Sequence, residues 1–206
     1  KKQKEIDFRR TDSMSQELMG LEYLKKKEIK NMKCDMNKPF AFISYSHDEY
    51  DSQIVMNVFK KLMERGHNLW IDIANMPADE HTWKKAAIDA LTNKNCKFAF
   101  FFRSESSMIK KTIENELETI KILDHIKSIV VVDIWHEDNI DAGSYYKKVM
   151  NSGMSENINV CYSICGYVSP ECKAIRLARD AGNDISKLIE EMEEELKNIE
   201  NTVTNS

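Results

Sequence analysis

Lys97-Phe-Ala-Phe-Phe-Phe-Arg-Ser104, continued by Glu105-Ser-Ser-Met-Ile-Lys-Lys-Thr-Ile-Glu-Asn-Glu-Leu117, is the stretch that decides the fold. Residues 97–102 are apolar at nearly every position, as a strand must be when both faces of its sheet are covered. Residues 109–120 have helical periodicity. With Ile109 as zero and about 100° per residue, Ile113, Leu117 and Ile120 fall near ~40°, ~80° and ~20°. A buried strand leading straight into an amphipathic helix is the repeating unit of a parallel α/β sheet. Glu116 falls near ~−20°, at the edge of the apolar stripe, while Glu114 (~140°) and Glu118 (~180°) point away from it. A carboxylate aimed at an interior is costly to bury, so it needs either a partner, such as a neighbouring Lys or Arg, or a chemical task.

The alternation extends in both directions. Residues 40–45 read as a strand entered through Pro39. A helix comes next with Ile54, Val55, Val58, Phe59, Leu62 and Met63 on one face, stopped by Gly66. Residues 67–72 read as the second strand and 73–81 as a loop carrying Pro77. The next helix has Trp83, Ala86, Ala87, Ala90 and Leu91 as its stripe. After the Glu116 helix, residues 128–134 are again β-branched and nearly continuous. Beyond Trp135 the pattern weakens to a polar loop (137–143), a short helix (144–150) and a last strand (158–162). The expected fold is therefore α/β, a parallel sheet with helices on both faces, plus a flanking helix at each end. The first, at 13–32, turns Leu18, Leu21 and Leu24 inward. The second, from 183 on, carries Ile185, Leu188, Ile189, Met192, Leu196 and Ile199. This divides the chain into an N-terminal helical extension (1–37), a central domain (38–181) and a C-terminal amphipathic helix (182–206). Packing of both helices on their own domain is the commoner arrangement.

Composition narrows the class. The 206 residues suit one domain with appendages, and 42% hydrophobic with 31% charged residues fits a soluble globular protein. A net charge of −4 disfavours nucleic acid as the main partner. No apolar run reaches the length of a membrane span, and no secretory signal is visible, so a cytoplasmic location without membrane contact is expected. The five cysteines lack paired CxxC spacing, which favours reduced thiols and no metal site.

In a sheet of this kind ligands bind outside the carboxyl ends of the strands. Ser44, Tyr45, Ser46 and Asp48 collect there after the first strand, Asp72 after the second and Ser104 after the third, with Glu116 on the helix behind. Each has a purely architectural reading. Ser46 or Asp48 suits a helix cap, Ser104 a turn, and Asp72 a hydrogen bond holding its loop. Trp70 and Trp83 read as core. No GxGxxG stretch is present, which disfavours NAD as a hydride carrier.

Phe42-Ile-Ser-Tyr-Ser-His-Asp48, Leu69-Trp-Ile-Asp72, Pro77, Trp83, and Ser104 twelve positions before Glu116-Leu117 together resemble a Toll/interleukin-1 receptor (TIR) domain of the bacterial type. The resemblance covers roughly residues 38–150, with the fold completed by about 181. It implies a five-stranded parallel sheet of flavodoxin-like winding and a mobile loop at 73–81. It also implies an activity, because many bacterial members split NAD between nicotinamide and ribose with a glutamate that matches Glu116. Some release ADP-ribose, and others form a cyclic isomer used as an antiphage alarm signal for a downstream effector. NAD would then be substrate, with no cofactor or metal. The substrate-binding set would be Phe42, Ser44, Tyr45, Ser46, Asp48, Asp72, Ser104 and Thr112. Other members are adaptors that only assemble with further TIR domains, so a non-catalytic scaffold is the alternative reading. Two departures stand out. Thr112 occupies a position where many active members carry Trp, which favours linear ADP-ribose as product. Ala78-Asp79 come after Pro77 where Gly is usual, which restricts loop motion.

Overall fold

The computed structural model describes residues 27–75, 83–107, 115–116, 119–120, 123–126, 128–135, 173–177 and 185–204. Five strands form one parallel sheet in the order β2-β1-β3-β4-β5: β1 (Phe40–Ser44), β2 (Leu69–Trp70), β3 (Cys96–Arg103), β4 (Ser128–Asp133) and β5 (Lys173–Arg176). This is flavodoxin-like winding, with β1 and β3 side by side where the strand order reverses.

β3 explains why the sheet needs two covered faces. Its side chains alternate, so Phe98, Phe100 and Phe102 enter one apolar cluster while Ala99 and Phe101 enter the other. Full burial of Phe100, Phe101 and Phe102 contributes about 1.5–3 kcal/mol each before entropy is counted. The first face is covered by helix α1 (Glu49–Glu64) through Val55, Val58, Phe59 and Leu62. The C-terminal helix α4 (Ser186–Thr204) joins the same face through Leu188, Ile189, Met192 and Leu196. Helix α3 (Trp83–Thr92) covers the second face with Ala87, Ala90 and Leu91, together with Ile120.

Local chemistry sets the boundaries. Asp48 caps α1, its side chain accepting from the Asp51 N–H at 2.9 Å. The helix ends at Gly66, whose φ of 91° an L side chain rarely adopts, and His67 N–H returns to the Leu62 carbonyl at 3.1 Å. β2 is shorter than the expected 67–72. Asp72 accepts from the Ile73 N–H at 2.6 Å and opens a single helical turn, α2 (Asp72–Asn75), so pairing stops at Trp70. The loop expected from 73 thus begins as helix, and residues 76–82 lie outside the described residues.

The fifth position in the sheet belongs to Lys173–Arg176, paired from Val130↔Lys173 to Asp133↔Arg176. The strand expected at 158–162, the helix at 144–150 and the loop at 137–143 lie outside the described residues. So does most of the expected N-terminal helix, Leu18, Leu21 and Leu24 included. Its last turn, 27–30, is helical and buries Ile29 beside α1 and α4.

Candidate active site

Ser44 ends β1, and its hydroxyl projects where the strand stops. Its Oγ donates to Glu116 Oε2 at 2.6 Å, joining the first strand to the segment beyond β3. Glu116 is partly buried, and Ser44 is buried. Burial pushes the Glu116 carboxyl up to about 7, from an ordinary value of 4.5. The Ser44 hydrogen bond and the His47 ring act against that rise, and the Asp72 charge acts with it. Among the described residues no Lys or Arg pairs with Glu116. Arg103, at the end of β3, is engaged elsewhere. It forms a buried two-pronged pair with Asp133 at the end of β4, at 2.6 and 3.0 Å.

Asp72 organises the contacts beside it. One oxygen accepts from the Tyr45 hydroxyl at 3.1 Å as well as from its own helix N-terminus. The other oxygen pairs with His47 Nε2. The Tyr45 and His47 rings lie 4.8 Å apart, tilted by 40°. Burial, reinforced by the Asp72 carboxylate, raises the Tyr45 phenol well above its ordinary value, so it stays a neutral donor. The His47 side chain is 61% exposed.

Ser44, Tyr45 and Asp72 are thus gathered around Glu116. Ser46, Asp48 and Ser104 form a deeper network instead. Ser46 is buried and its Oγ accepts from the Asp48 N–H at 3.4 Å, while Asp48 caps α1. Ser104 is 1% exposed, with its hydroxyl on Asp51 Oδ2 and accepting from the Ser107 N–H at 3.1 Å. Phe42 stacks on Trp70 inside the second apolar cluster, with ring centroids 4.7 Å apart, so it supports the sheet from below. Thr112 lies outside the described residues. Two residues absent from the sequence-derived set belong here, His47 and Asp51. His47 sat within the quoted Phe42–Asp48 motif. Asp51 carried the same signal as Glu116, an acid in register with the apolar stripe Val55, Val58 and Leu62.

A carboxyl raised toward 7, with no Lys or Arg partner among the described residues and the Ser44 hydroxyl on one oxygen, is suited to stabilising positive charge that develops on a bound sugar. Among the described residues no cluster of His, Cys, Asp and Glu is arranged to hold a metal ion. None of the described helices is long and apolar enough to cross a membrane.

No family model and no curated protein matches the sequence. Among solved structures, the chain is similar to the TIR domains of the activated Roq1 resistosome directly recognizing the pathogen effector XopQ. The TM-score is 0.53 at 16% identity, over 77% of this chain and 99% of that one. The fold is that of a TIR domain: a parallel α/β sheet with helices on both faces.

Proposed function

We propose that this chain is a TIR-domain NAD glycohydrolase, cleaving the bond between nicotinamide and ribose. One observation carries the reading: Glu116 reaches the carboxyl end of β1, is held by Ser44 at 2.6 Å, and meets no Lys or Arg among the described residues. NAD brings a cation. Its pyridinium ring makes a good leaving group, and the breaking C–N bond delivers its electron pair to nicotinamide, which departs neutral. Positive charge then develops on the ribose. A carboxylate beneath the sugar stabilises that charge and favours its own ionised form as it does so. Water adds to the ribose carbon and loses a proton, giving ADP-ribose. Ser44 orients the carboxylate, and Tyr45 and Asp72 form the adjoining wall.

The wider role that fits this chemistry is bacterial antiphage immunity in the cytoplasm, with a cyclic or linear product read by a downstream effector. A second reading has one observation in its favour. The solved TIR neighbour is part of an activated resistosome. A scaffold of TIR copies, with no chemistry, is the corresponding role. Incubating the pure protein with NAD at several protein concentrations, and resolving nicotinamide, ADP-ribose and cyclic isomers by chromatography, separates the two. Linear ADP-ribose with stoichiometric nicotinamide is expected. Intact NAD at every concentration, in protein that self-associates, would leave only the scaffold.

A further inference from the structure

Two polar contacts tie the segment running from β1 into α1 to residues that come after β3 in the chain. One is Ser44 on Glu116, at the carboxyl end of β1. The other lies beneath it, between Asp51 in the first turn of α1 and Ser104 just past β3. The deeper contact is fully enclosed, with Asp51 0% exposed and Ser107 likewise buried. It is also built in detail. The Ser104 hydroxyl donates to Asp51 Oδ2 and accepts from the Ser107 N–H at 3.1 Å. The Ser107 hydroxyl accepts from the Ser104 N–H at 2.8 Å and donates to the Ser104 carbonyl at 3.0 Å. The 104–107 turn, which comes before Glu116 in the chain, is therefore closed on itself and hydrogen-bonded to α1 through the Asp51 carboxyl.

That carboxyl is in an unfavourable place for architecture alone. Its second oxygen, Oδ1, is buried without a hydrogen-bond partner among the described residues. An enclosed carboxyl with one oxygen unsatisfied costs stability, and an apolar residue at that helical position would bury without that penalty. The charged groups nearest it, Asp48 and Glu105, are of like sign, and burial pushes Asp51 up to about 7. Its geometric consequence is the fixed turn.

We infer that Asp51 is a positioning residue: acting through Ser104, it fixes the 104–107 turn against α1 and so sets where Glu116 meets Ser44. The consequence for catalysis rests on the glycohydrolase reading, whereas the positioning itself does not.

The test reads Glu116 directly. Its carboxyl is titrated by carbon-13 NMR in glutamate-labelled protein, with the signal assigned by its loss in Glu116→Gln. NAD turnover is measured on the same samples. The groups facing Glu116 that enter its titration are Asp72, His47 and Tyr45, and none of them is changed. In the unaltered protein the midpoint is expected near 7. With Asp51→Ala or Ser104→Ala the Glu116 segment loses its anchor and the carboxyl gains water. The midpoint then falls by about two units, toward the ordinary ~4.3. Asp51→Asn keeps an oxygen for the Ser104 hydroxyl and is expected to hold the midpoint above about 6. Turnover changes in the same order, with kcat lowered on the order of tenfold in the two alanine variants and KM changed less. If Asp51→Ala fails to fold, Ser104→Ala, which removes one hydroxyl, decides alone. An unmoved Glu116 midpoint in a folded Ser104→Ala protein overturns the inference, whatever NAD does. A moved midpoint in proteins that never cleave NAD, the unaltered one included, keeps the positioning role and removes the glycohydrolase reading.

Discussion

Glu116 and Glu193 are both helical glutamates set against the body of the domain, and they are treated in opposite ways. Glu193, on α4, accepts from Arg65 at 2.6 Å, meets His67 Nε2 at 3.1 Å and has Lys197 Nζ at 3.6 Å. His67 lies at the start of β2's segment and Arg65 at the end of α1, so one carboxylate fastens the C-terminal helix to two elements. The hydrogen bond with His67, with Arg65 and Lys197 adding to it, holds the carboxyl down at about 2. Glu116 receives a serine hydroxyl, an aspartate and a distant histidine, and burial carries it up to about 7. A carboxylate that serves architecture is given cations. Among the described residues Glu116 meets no such cation, and under the proposed function that place is left for a positively charged substrate, whose binding would offset the cost in stability.

The largest effect that can break this contrast is on turnover. Glu116→Gln is expected to lower kcat on the order of 10²–10³-fold, the usual consequence of removing one transition-state electrostatic partner. Glu114→Gln and Glu118→Gln, which face away on the helical wheel, are expected to stay within about twofold, as is Glu193→Gln. Steady-state NAD cleavage by the four variants measures it, and equal losses would abolish the distinction between them.

The next effect is on the pH profile. In the proposed cleavage the ionised form of Glu116 is the one that would stabilise a cationic sugar. Therefore kcat/KM is expected to rise about tenfold per pH unit below 7 and to level off above it. A profile flat from pH 5 to 8 would mean that Glu116 already titrates in the ordinary carboxylate range and is no different in kind from a solvated glutamate.

These features were unequally legible in the sequence. β1, β3 and β4 announce themselves because a doubly covered strand is a continuous apolar run, and α1 does so through its period and Gly66. β2 is shorter than its sequence suggests, since Ile71 and Asp72 look like strand residues until the Asp72 carboxylate is seen capping a helical turn. β5 had no signal of its own. Lys173-Ala-Ile-Arg176 is four residues long with lysine and arginine at its ends, and it is a strand because β4 supplies a partner edge. In the site, helical angle alone placed Glu116 at the border of the core. It could not distinguish Ser44, which meets Glu116, from Ser46 and Ser104, which turn to Asp48 and Asp51, because all three lie at or just past strand ends. Phe42 illustrates a different limit. A strand buried on both faces gives no clue to which face a given ring will join.

The smallest effects concern stability, and there the two glutamates are expected to move in opposite directions. Glu116 has a folded value raised above its unfolded one. Between about 4.3 and about 7 the folded chain keeps a proton that the unfolded chain has lost, so its contribution to stability declines as pH rises through that window and stays lower beyond it. Glu116→Gln removes the decline, and the variant is expected to gain on the unaltered protein between pH 5 and pH 8. Glu193 has a folded value depressed to about 2. Its contribution is present in full above the unfolded value of about 4.3 and disappears as pH falls through about 2. Glu193→Gln is therefore expected to melt at a lower temperature at pH 7, with the deficit closing as the solution is acidified. Thermal unfolding of the three proteins from pH 3 to pH 8 gives both slopes, and differences between variant and parent cancel the titration of all other carboxyls. A Glu116→Gln protein that loses stability at pH 8 would show that Glu116 is held as an architectural carboxylate after all, like its counterpart on α4.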